Sequence, residues 1–517
     1  MGVLVFFAGC KEDKPTVEIQ QFTLTISYGP IEAGEASPAG GDYDAGTVVI
    51  LTATPNTYYR FKGWTGDAIS DTNPISITMD ANKSVEVIFE FIDSDNDRIP
   101  DELDQCENTP QGAVVNELGC EVQITYSNIL LIVADDIGND MLAGFNDFEV
   151  NARTPTLDSL RASGISFTNV WASPICSPTR AGLISGQYGF RTGVLNAGDQ
   201  LDENTRSIQQ RINVDFPDTY QHGIIGKWHL SGQPTIRDHP YSFGFDYFAG
   251  VIGGSVGSYT DYSLIFDKQV NREDTYATQK FTELATDWIA VQDQPWFLWM
   301  THVAPHTPYE IPPMGTYTQA SLSDDFGKYL ASIEALDYYI NDLITQMDEE
   351  TKANTLFIFI GDNGTENSLL RGYSDEHGKG TLYEGGVRVP MIISGPNVTR
   401  SGVVDNSMIQ SLDLPGFILN YIGGEATFED SQSFLPLLTA SGSHRSYLYS
   451  ESVNSNNSAY AVKNDFYKFW VKNNREEFYY HGENLLENED LLKSDLTVDQ
   501  QNQLDSLRNF VTTLKNE

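Results

Sequence analysis

The chain has 517 residues, of which 40% are hydrophobic and 12% aromatic; this composition folds, and this length favours two or more domains. Its 31 Lys and Arg residues stand against 72 Asp and Glu residues, a net charge of −41. Such an acidic balance argues against a nucleic-acid partner.

The N-terminus contains a short apolar run that ends in Phe-Ala-Gly-Cys, followed by Lys-Glu-Asp. The run is too short to span a bilayer. It resembles the end of a bacterial lipoprotein signal, which implies that Cys10 is lipidated and that residues 1–20 form a tether. The protein would then be exported, on the cell surface or in the periplasm, with a lipid anchor as its contact with the outer membrane. The alternative is a Cys10 buried in an N-terminal strand.

Residues 21–92 alternate apolar and polar side chains, as in FTLTISYG and GTVVILTATP, between Gly, Pro and Asn. Alternation with this punctuation predicts a small all-β module. The series GDYDAGTVVILTATP, FKGWTGD and ITMD resembles the repeat modules of bacterial surface proteins. That resemblance implies a spacer or adhesive role rather than catalysis.

Residues 93–121 are acidic and contain two cysteines. Hard carboxylate oxygens at short, regular spacing suit Ca²⁺, and they come from Asp93, Asp95, Asp97, Asp101 and Asp104. The segment resembles a thrombospondin type 3 repeat, which implies that these aspartates bind calcium and that Cys106 pairs with Cys120. A disulfide suits an exported protein. The alternative is an acidic, solvated linker without a metal.

From residue 124 onward the pattern changes to short, continuous apolar runs, at 128–134 and 355–360. Continuous runs predict strands that are covered on both faces, as in α/β folds. The apolar spacing from Leu330 to Met347 predicts an amphipathic helix over 328–349. We therefore expect a mixed, mostly parallel sheet sandwiched by helices over 124–440. Alternation returns in 446–480 and predicts a small antiparallel subdomain within 441–517.

Polar side chains directly follow both apolar runs: Asp135 and Asp136 the first, Asp362 and Asn363 the second. Ligands of open α/β sheets gather beyond the carboxyl ends of the strands. Three carboxylates and one amide oxygen suit Ca²⁺ or Mg²⁺ better than zinc. The sequence therefore predicts a metal site here, although each pair alone could be ordinary turn chemistry.

Cys176 begins the segment Cys-Ser-Pro-Thr-Arg, with Gly186 shortly after it. On its own it could be a buried thiol, half of a disulfide or a catalyst. The segment resembles the C-x-P-x-R signature of formylglycine-dependent sulfatases, members of the alkaline phosphatase-like superfamily. The resemblance implies that a maturation enzyme oxidises Cys176 to formylglycine, whose gem-diol attacks sulfur and then releases sulfate. It also implies that Arg180 stabilises the diol oxygens and the metal-bound carboxylates.

Further segments resemble the same family in the expected order, over about 124–490. GKWHLSG, with Ser231 inserted, implies Lys227 as a sulfate ligand and His229 as a contact of the diol. APHTP implies His306 as a sulfate ligand and the general acid, with His229 as the second choice. KGTLYEGGVRVP implies Lys379 at the sulfate oxygens. Taken singly, these residues could be ordinary surface or loop residues.

The resulting hypothesis is an exported, calcium-dependent sulfatase that acts on a sulfated polysaccharide or its oligosaccharides. The second hypothesis is a phosphonate or phosphodiester hydrolase of the same superfamily. A third, non-enzymatic hypothesis is a surface adhesin whose sulfatase domain is inactive. His302 is expected to be structural, and His377 lies close enough to Lys379 in the sequence to line the pocket.

Overall fold

A computed structural model describes residues 20–29, 33–109, 115, 118–120, 126–146, 151–233, 235–319, 321–374, 376–454, 457–473, 475–482 and 486–516. The chain divides into two compact units, Met1–Ile124 and Thr125–Glu517. Cys10 and its predicted lipidation lie outside the described residues. No helix within the described ranges is both long and apolar enough to cross a membrane.

The first unit contains an all-β module, as the alternating sequence predicts. Its strands form a four-stranded sheet in the order β3-β1-β7-β5 and a three-stranded sheet in the order β2-β4-β6. The strands are β1 (Gln21–Gly29), β2 (Gly34–Ser37), β3 (Gly40–Asp44), β4 (Val48–Pro55), β5 (Tyr59–Gly66), β6 (Ile75–Thr78) and β7 (Lys83–Phe91). Buried and exposed residues alternate along β4, and Leu51, Trp64 and Val85 belong to the core.

A disulfide closes the acidic segment that follows this module. Cys106 and Cys120 are bonded, with their Cα atoms 4.9 Å apart. The predicted pairing is therefore confirmed.

The second unit is built on an eleven-stranded mixed sheet. Its strands are β8 (Asn128–Ala134), β9 (Ile165–Trp171), β10 (Gln221–Lys227), β11 (Tyr247–Val251), β12 (Tyr262–Phe266), β13 (Gln269–Glu273), β14 (Trp296–Thr301), β15 (Thr355–Gly361), β16 (Arg388–Ser394), β17 (Val403–Asp405) and β18 (Ile409–Gln410). The order is β13-β12-β11-β10-β14-β8-β15-β16-β9-β17, and β18 also pairs with β9. The five central strands, from β11 to β15, are parallel to one another.

Helices cover both faces of this sheet. They are α1 (Pro155–Ser163), α2 (Cys176–Ser185), α3 (Gly189–Thr192), α4 (Ile208–Asp215), α5 (Ala277–Ile289), α6 (Asp325–Gln346), α7 (Glu349–Ala353), α8 (Glu384–Val387) and α9 (Leu414–Tyr421). Ile129, Leu131 and Val133 of β8 pack with α2, α4 and α9, whereas Leu130 and Ile132 pack with α5 and α6. The apolar runs therefore read as continuous because successive side chains enter two different cores.

The helix predicted over 328–349 is present as α6, but both of its predicted ends are wrong by three residues. The Asp324 side chain accepts a hydrogen bond from the Gly327 backbone at 2.8 Å and caps the helix earlier. Met347 is extended and ends it, and Asp348 caps the short helix α7. Apolar spacing locates the buried face, whereas the capping side chains set the ends.

The C-terminal part forms the predicted antiparallel subdomain. Its sheet has the order β21-β22-β23-β24, and α10 packs against it. Its elements, with the short hairpin that precedes them, are β19 (Thr427–Phe428), β20 (Ser431–Gln432), β21 (Leu448–Asn454), β22 (Asn457–Lys463), β23 (Tyr467–Lys472), β24 (Arg475–Tyr480) and α10 (Val498–Asn516).

A buried ionic cluster joins this subdomain to the large sheet. Glu384, at the start of α8, lies 3.2 Å from Lys468 Nζ, 3.5 Å from Lys463 Nζ and 3.2 Å from His481 Nε2. The indole of Trp171, at the end of β9, also donates to Glu384 at 3.1 Å. Glu384 is fully buried, so the two lysines compensate its charge.

Candidate active site

Four polar residues meet where β8 and β15 end. Ala134 pairs with Gly361 across these parallel strands, so the next residues of both strands emerge at one edge. The Asp136 backbone N–H donates to Asp362 Oδ1 at 3.1 Å, and Asn363 Nδ2 donates to Asp136 Oδ1 at 2.8 Å. Asp135, Asp136, Asp362 and Asn363 are all buried. The structure therefore brings together the four predicted metal ligands.

Each of the three carboxylates is paired with a cationic side chain. Lys227 Nζ lies 2.5 Å from Asp135 Oδ2, Lys379 Nζ lies 2.7 Å from Asp136 Oδ2, and Arg180 Nη2 lies 2.9 Å from Asp362 Oδ2. Three cations against three carboxylates leave the cluster neutral by itself. Unpaired charges could not be buried at this depth without large cost.

These pairs shape the ionisation of the site. Burial raises the pKa of Asp362, and the neighbouring Asp135 raises it further. Burial opposes the charge of Lys379, but Asp136 and Asp135 hold its pKa above the usual value. Lys379 is therefore protonated at neutral pH, when it can bind an anion.

Cys176 lies at the N-terminus of α2, beside this cluster. Its Sγ atom is 3.2 Å from His229 Nδ1, and it lies within 4.8 Å of carboxylate oxygens of Asp135 and Asp362. The side chain is 2% exposed, and burial raises the pKa of the thiol. Among the described cysteines it is the one without a disulfide. At neutral pH the thiol is therefore protonated and a poor nucleophile.

His229 is held tightly against Cys176. Its backbone has φ +61°, and its carbonyl oxygen accepts a hydrogen bond from Ser177 Oγ at 2.8 Å. Burial, together with Lys227 and Arg180, lowers the pKa of His229 to about 2. The imidazole of His229 is therefore neutral at neutral pH.

His306 faces the cluster from the loop after β14. Its Nε2 lies 3.8 Å from Asp136 Oδ2, and its Nδ1 lies 2.8 Å from the Thr307 carbonyl oxygen. A carbonyl oxygen only accepts, so Nδ1 carries the hydrogen of that bond and Nε2 is the nitrogen that can exchange a proton. His302, by contrast, is fully buried, and burial lowers its pKa to about 3.

Three residues that position the histidines were not identified from the sequence. Ser177 accepts from the Gly198 backbone at 2.9 Å while it binds His229; its place next to Cys176 was a usable signal. Tyr259 donates to the His306 carbonyl oxygen at 2.7 Å. A Cβ atom on Gly254 would lie 2.4 Å from the His229 ring. Nothing in the local sequence marks the last two.

The donor set fits a hard divalent cation. Asp135 Oδ1 and Asn363 Oδ1 are buried and have no hydrogen-bond partner in the described ranges, which is costly unless a ligand satisfies them. The other candidate atoms are carboxylate oxygens, as Ca²⁺ and Mg²⁺ prefer. Bound there, a divalent cation would give the neutral cluster a positive charge.

The acidic segment of the first unit holds a second candidate site. Carboxylate oxygens of Asp93, Asp95 and Asp97 lie within 4.8 Å of one another. Asp95 Oδ1 and Asp97 Oδ2 are buried without a hydrogen-bond partner among the described residues. Asp101 instead binds Ser94, at 2.6 and 2.7 Å, and Asp104 Oδ1 accepts from the Cys106 backbone at 2.7 Å. The structure thus groups three of the five predicted ligands.

Comparison with known proteins agrees with this geometry. The sequence profile of the sulfatase family matches residues 127–424, and that of the divergent InlB B-repeat domain matches 24–93. Arylsulfatase J of Mus musculus is 28% identical over 55% of this chain and 51% of its own length. N-acetylgalactosamine-6-sulfatase of Sus scrofa is 27% identical over 60% of this chain and 65% of its own length. The chain thus spans about half to two thirds of these relatives.

A solved structure supports the fold. Ps i-CgsB in complex with k-i-k-neocarrahexaose superposes with a TM-score of 0.65 and 24% identity, over 75% of this chain and 93% of that one. The profile match covers more than half of the chain, including Cys176, the four predicted metal ligands and their cationic partners. From residue 127 to residue 424, this chain belongs to the sulfatase family.

Proposed function

We propose that the protein hydrolyses sulfate esters of carbohydrates, with formylglycine at position 176 and a divalent cation in the adjacent cluster. The observation that carries the proposal is the position of Cys176, at a helix N-terminus, 3.2 Å from His229 and beside three buried carboxylates. The family signature Cys-Ser-Pro-Thr-Arg begins at the same residue.

Formylglycine at position 176 would avoid two weaknesses of an unmodified cysteine, in attack on sulfur and in release of sulfate. A buried, protonated thiol is a weak nucleophile, and a cysteine that had attacked sulfur would have no easy way to release sulfate. A hydrated aldehyde supplies one hydroxyl for attack and a second for release. The oxidation of Cys176 requires a separate maturation enzyme. Neutral His229 is placed to accept a hydrogen bond from a hydroxyl at position 176 and to orient it.

Asp135, Asp136, Asp362 and Asn363 would hold the cation, with Ca²⁺ as our assignment and Mg²⁺ as the alternative. A bound cation supplies positive charge that binds and polarises an anionic ester. Arg180 favours the ionised form of Asp362 and holds it in place through its guanidinium contacts of 3.1 and 2.9 Å.

Lys227 and Lys379 bring positive charge to the site and stabilise the charge of the ester group. His306 Nε2 donates a proton to the departing alcohol oxygen, because an alkoxide is a poor leaving group. The low pKa of His229 supports His306 rather than His229 in this role.

The substrate class rests on the relatives. One of them is named for N-acetylgalactosamine 6-sulfate chemistry, and the solved structure holds a neocarrahexaose. We therefore infer a sulfated polysaccharide or its oligosaccharides as the substrate. The net charge of −41 repels polyanions at long range, so local cations must hold the substrate.

The front of the chain fits the same role. We propose that Cys10 carries a lipid anchor on the outer membrane, that the β module is a spacer at the cell surface, and that Asp93, Asp95 and Asp97 bind Ca²⁺. The unpartnered oxygens of Asp95 and Asp97 support the last assignment.

The test combines two measurements on protein from the native host. Mass spectrometry of the peptide that contains Cys176 is expected to show the decrease in mass that accompanies conversion of the thiol to an aldehyde. Rates on an aryl sulfate are expected to exceed those on an aryl phosphonate. An unmodified Cys176 would overturn the formylglycine mechanism, a reversed preference would favour the phosphonate hydrolase, and an inactive protein with intact carbohydrate binding would favour the adhesin.

A further inference from the structure

A groove of about 830 Å³ opens beside the loop that carries Lys379. One wall comes from the loop before α8, and the other comes from the C-terminal sheet. Its volume lies in the range of small-molecule sites.

The groove and the active site share one loop. Asn367 lines the groove, and its side chain donates to the Lys379 carbonyl oxygen at 3.1 Å and accepts from the Gly378 backbone at 2.8 Å. The next residue, Gly380, also lines the groove, whereas Lys379 Nζ contacts Asp136 in the acidic cluster. The Gly380 backbone N–H also donates to the Pro174 carbonyl oxygen at 2.8 Å, so the groove at Gly380 lies beside the segment that leads into Cys176.

Stacked aromatic rings line the groove. His377 and Tyr383 stack with centroids 3.6 Å apart, and Tyr383 stacks on Trp470 at 5.6 Å. Trp470 is 7% exposed. Within the part of the chain that the structure describes, neither its Nε1 nor His377 Nδ1 has a hydrogen-bond partner. Aromatic faces with nearby polar groups combine apolar contact and hydrogen bonding, which suits the C–H face and hydroxyls of a sugar ring.

Two exposed cations, Lys472 and Arg475, and one exposed carboxylate, Glu376, also line the groove. Arg475 pairs with Glu477 at 2.5 Å, whereas no carboxylate of the described residues lies within 4.0 Å of Lys472 Nζ. With 31 cationic and 72 acidic residues in the chain, an unpaired lysine at a groove is a selective feature. It is free to bind an anionic group of a ligand.

We propose that this groove is a subsite for a neighbouring sugar residue that carries a sulfate or a carboxylate, in a chain whose sulfated sugar occupies the active site. This assignment rests on the proposed function, and it makes an oligosaccharide a better substrate than the matching monosaccharide. Lys472 binds the anionic group, and the half-buried His377 at the outer end of the stack contacts the ring.

The test compares substrates that reach the groove with one that does not. For Lys472→Ala we expect kcat/KM to fall about three- to tenfold on sulfated hexasaccharides from carrageenan or chondroitin sulfate. The rate on an aryl sulfate is expected to be unchanged. Lys472→Arg should retain the activity on hexasaccharides. Lys493→Ala, an exposed lysine of the same subdomain with a side chain 75% exposed, is the matched control. His377→Ala should also lower kcat/KM on hexasaccharides. Added salt should not change the size of this effect, because no charge contact with the ligand is lost.

A binding measurement separates this proposal from the proposed function. Titration calorimetry of the unmodified protein with the same hexasaccharides should show tighter binding than with the matching monosaccharides, and Lys472→Ala should reduce the difference. If no sulfate ester is hydrolysed but this difference is found, the proposed function fails and the subsite stands. Equal binding of hexasaccharides and monosaccharides overturns the subsite. So does a Lys472→Ala variant whose kcat/KM falls equally on hexasaccharides and on the aryl sulfate.

Discussion

Cys176 Sγ lies 3.2 Å from His229 Nδ1, and Ser177, the next residue of the helix, binds the His229 carbonyl oxygen. Residue 176 and the imidazole are thus fixed to each other through one helix terminus. We expect His229→Asn to lower kcat on an aryl sulfate by about 10²- to 10⁴-fold, the usual contribution of a positioned catalytic side chain. Asn suits the backbone of this position, where φ is +61°.

Two measurements keep this prediction separate from misfolding. Thermal unfolding of His229→Asn should stay close to the wild type, and mass spectrometry should find the same modification of residue 176. Full activity in a normally modified variant would show that His229 does not act on residue 176.

Gly254 limits how far the His229 ring can move. A Cβ atom there would lie 2.4 Å from the ring atoms Cε1 and Nε2, whereas a Cβ atom on the adjacent Gly253 meets nothing within 4 Å. Gly254→Ala should displace the ring and lower kcat by about 10- to 100-fold, since small misplacements of catalytic groups are costly. Gly253→Ala, the matched control, should keep the wild-type rate. Equal activity of the two variants would contradict the positioning role.

The sequence predicts the acidic cluster and not its charge pairing. Asp135 and Asp362 were identifiable because each follows a continuous apolar run, and such strands end at one edge of a parallel sheet. The contacts of Lys227 with Asp135 and of Lys379 with Asp136 join residues about a hundred or more positions apart, and no local pattern encodes them. The same reasoning covers Gly254, whose neighbour His229 comes from another loop. Sulfate binding by the two lysines stays a prediction.

Calcium should stabilise the two units through different aspartates. After treatment with EDTA, added Ca²⁺ should raise the unfolding temperature. At a calcium concentration of a hundred times Kd, binding adds about 2.7 kcal/mol to the free energy of unfolding. Asp135→Asn should abolish the calcium-induced rise in unfolding temperature of the catalytic unit alone. Asp97→Asn should abolish the corresponding rise of the first unit alone. The comparison is made within each variant, because Asp135→Asn also loses the contact with Lys227. An unchanged calcium shift in Asp135→Asn would contradict the cluster as a metal site.

Glu384 is expected to stabilise the junction with the C-terminal subdomain. Glu384→Gln leaves Lys463, Lys468 and His481 without their common buried carboxylate. Breaking a buried ionic cluster typically costs about 3–5 kcal/mol, so urea unfolding should shift to markedly lower concentration. Glu349→Gln removes a carboxylate whose side chain is 92% exposed and should change stability by less than about 0.5 kcal/mol. Equal effects of the two substitutions would contradict this role.

Asp413 should give the protein an acid-dependent component of stability. Burial opposes its ionisation, but Arg445 and His444 lower its pKa to about 2, through contacts that include 2.7 Å from Arg445 Nε and 3.0 Å from His444 Nε2. The folded-state pKa lies below the unfolded value of about 3.9. The contribution is therefore fully present above about pH 4 and is lost as the pH falls through 2.

This pH dependence predicts how the stability of Asp413→Asn differs from that of the wild type. The free energy of unfolding of the variant should lack about 2 kcal/mol of the decrease that the wild type shows between pH 4 and pH 2. Because Arg445 stays charged throughout this range, its loss of a partner lowers the stability of the variant at every pH and does not alter the slope. Asp293→Asn, at an exposed position, should keep the wild-type slope. Parallel pH profiles of wild type and Asp413→Asn would show that this carboxylate is not ionised at low pH by its buried partners.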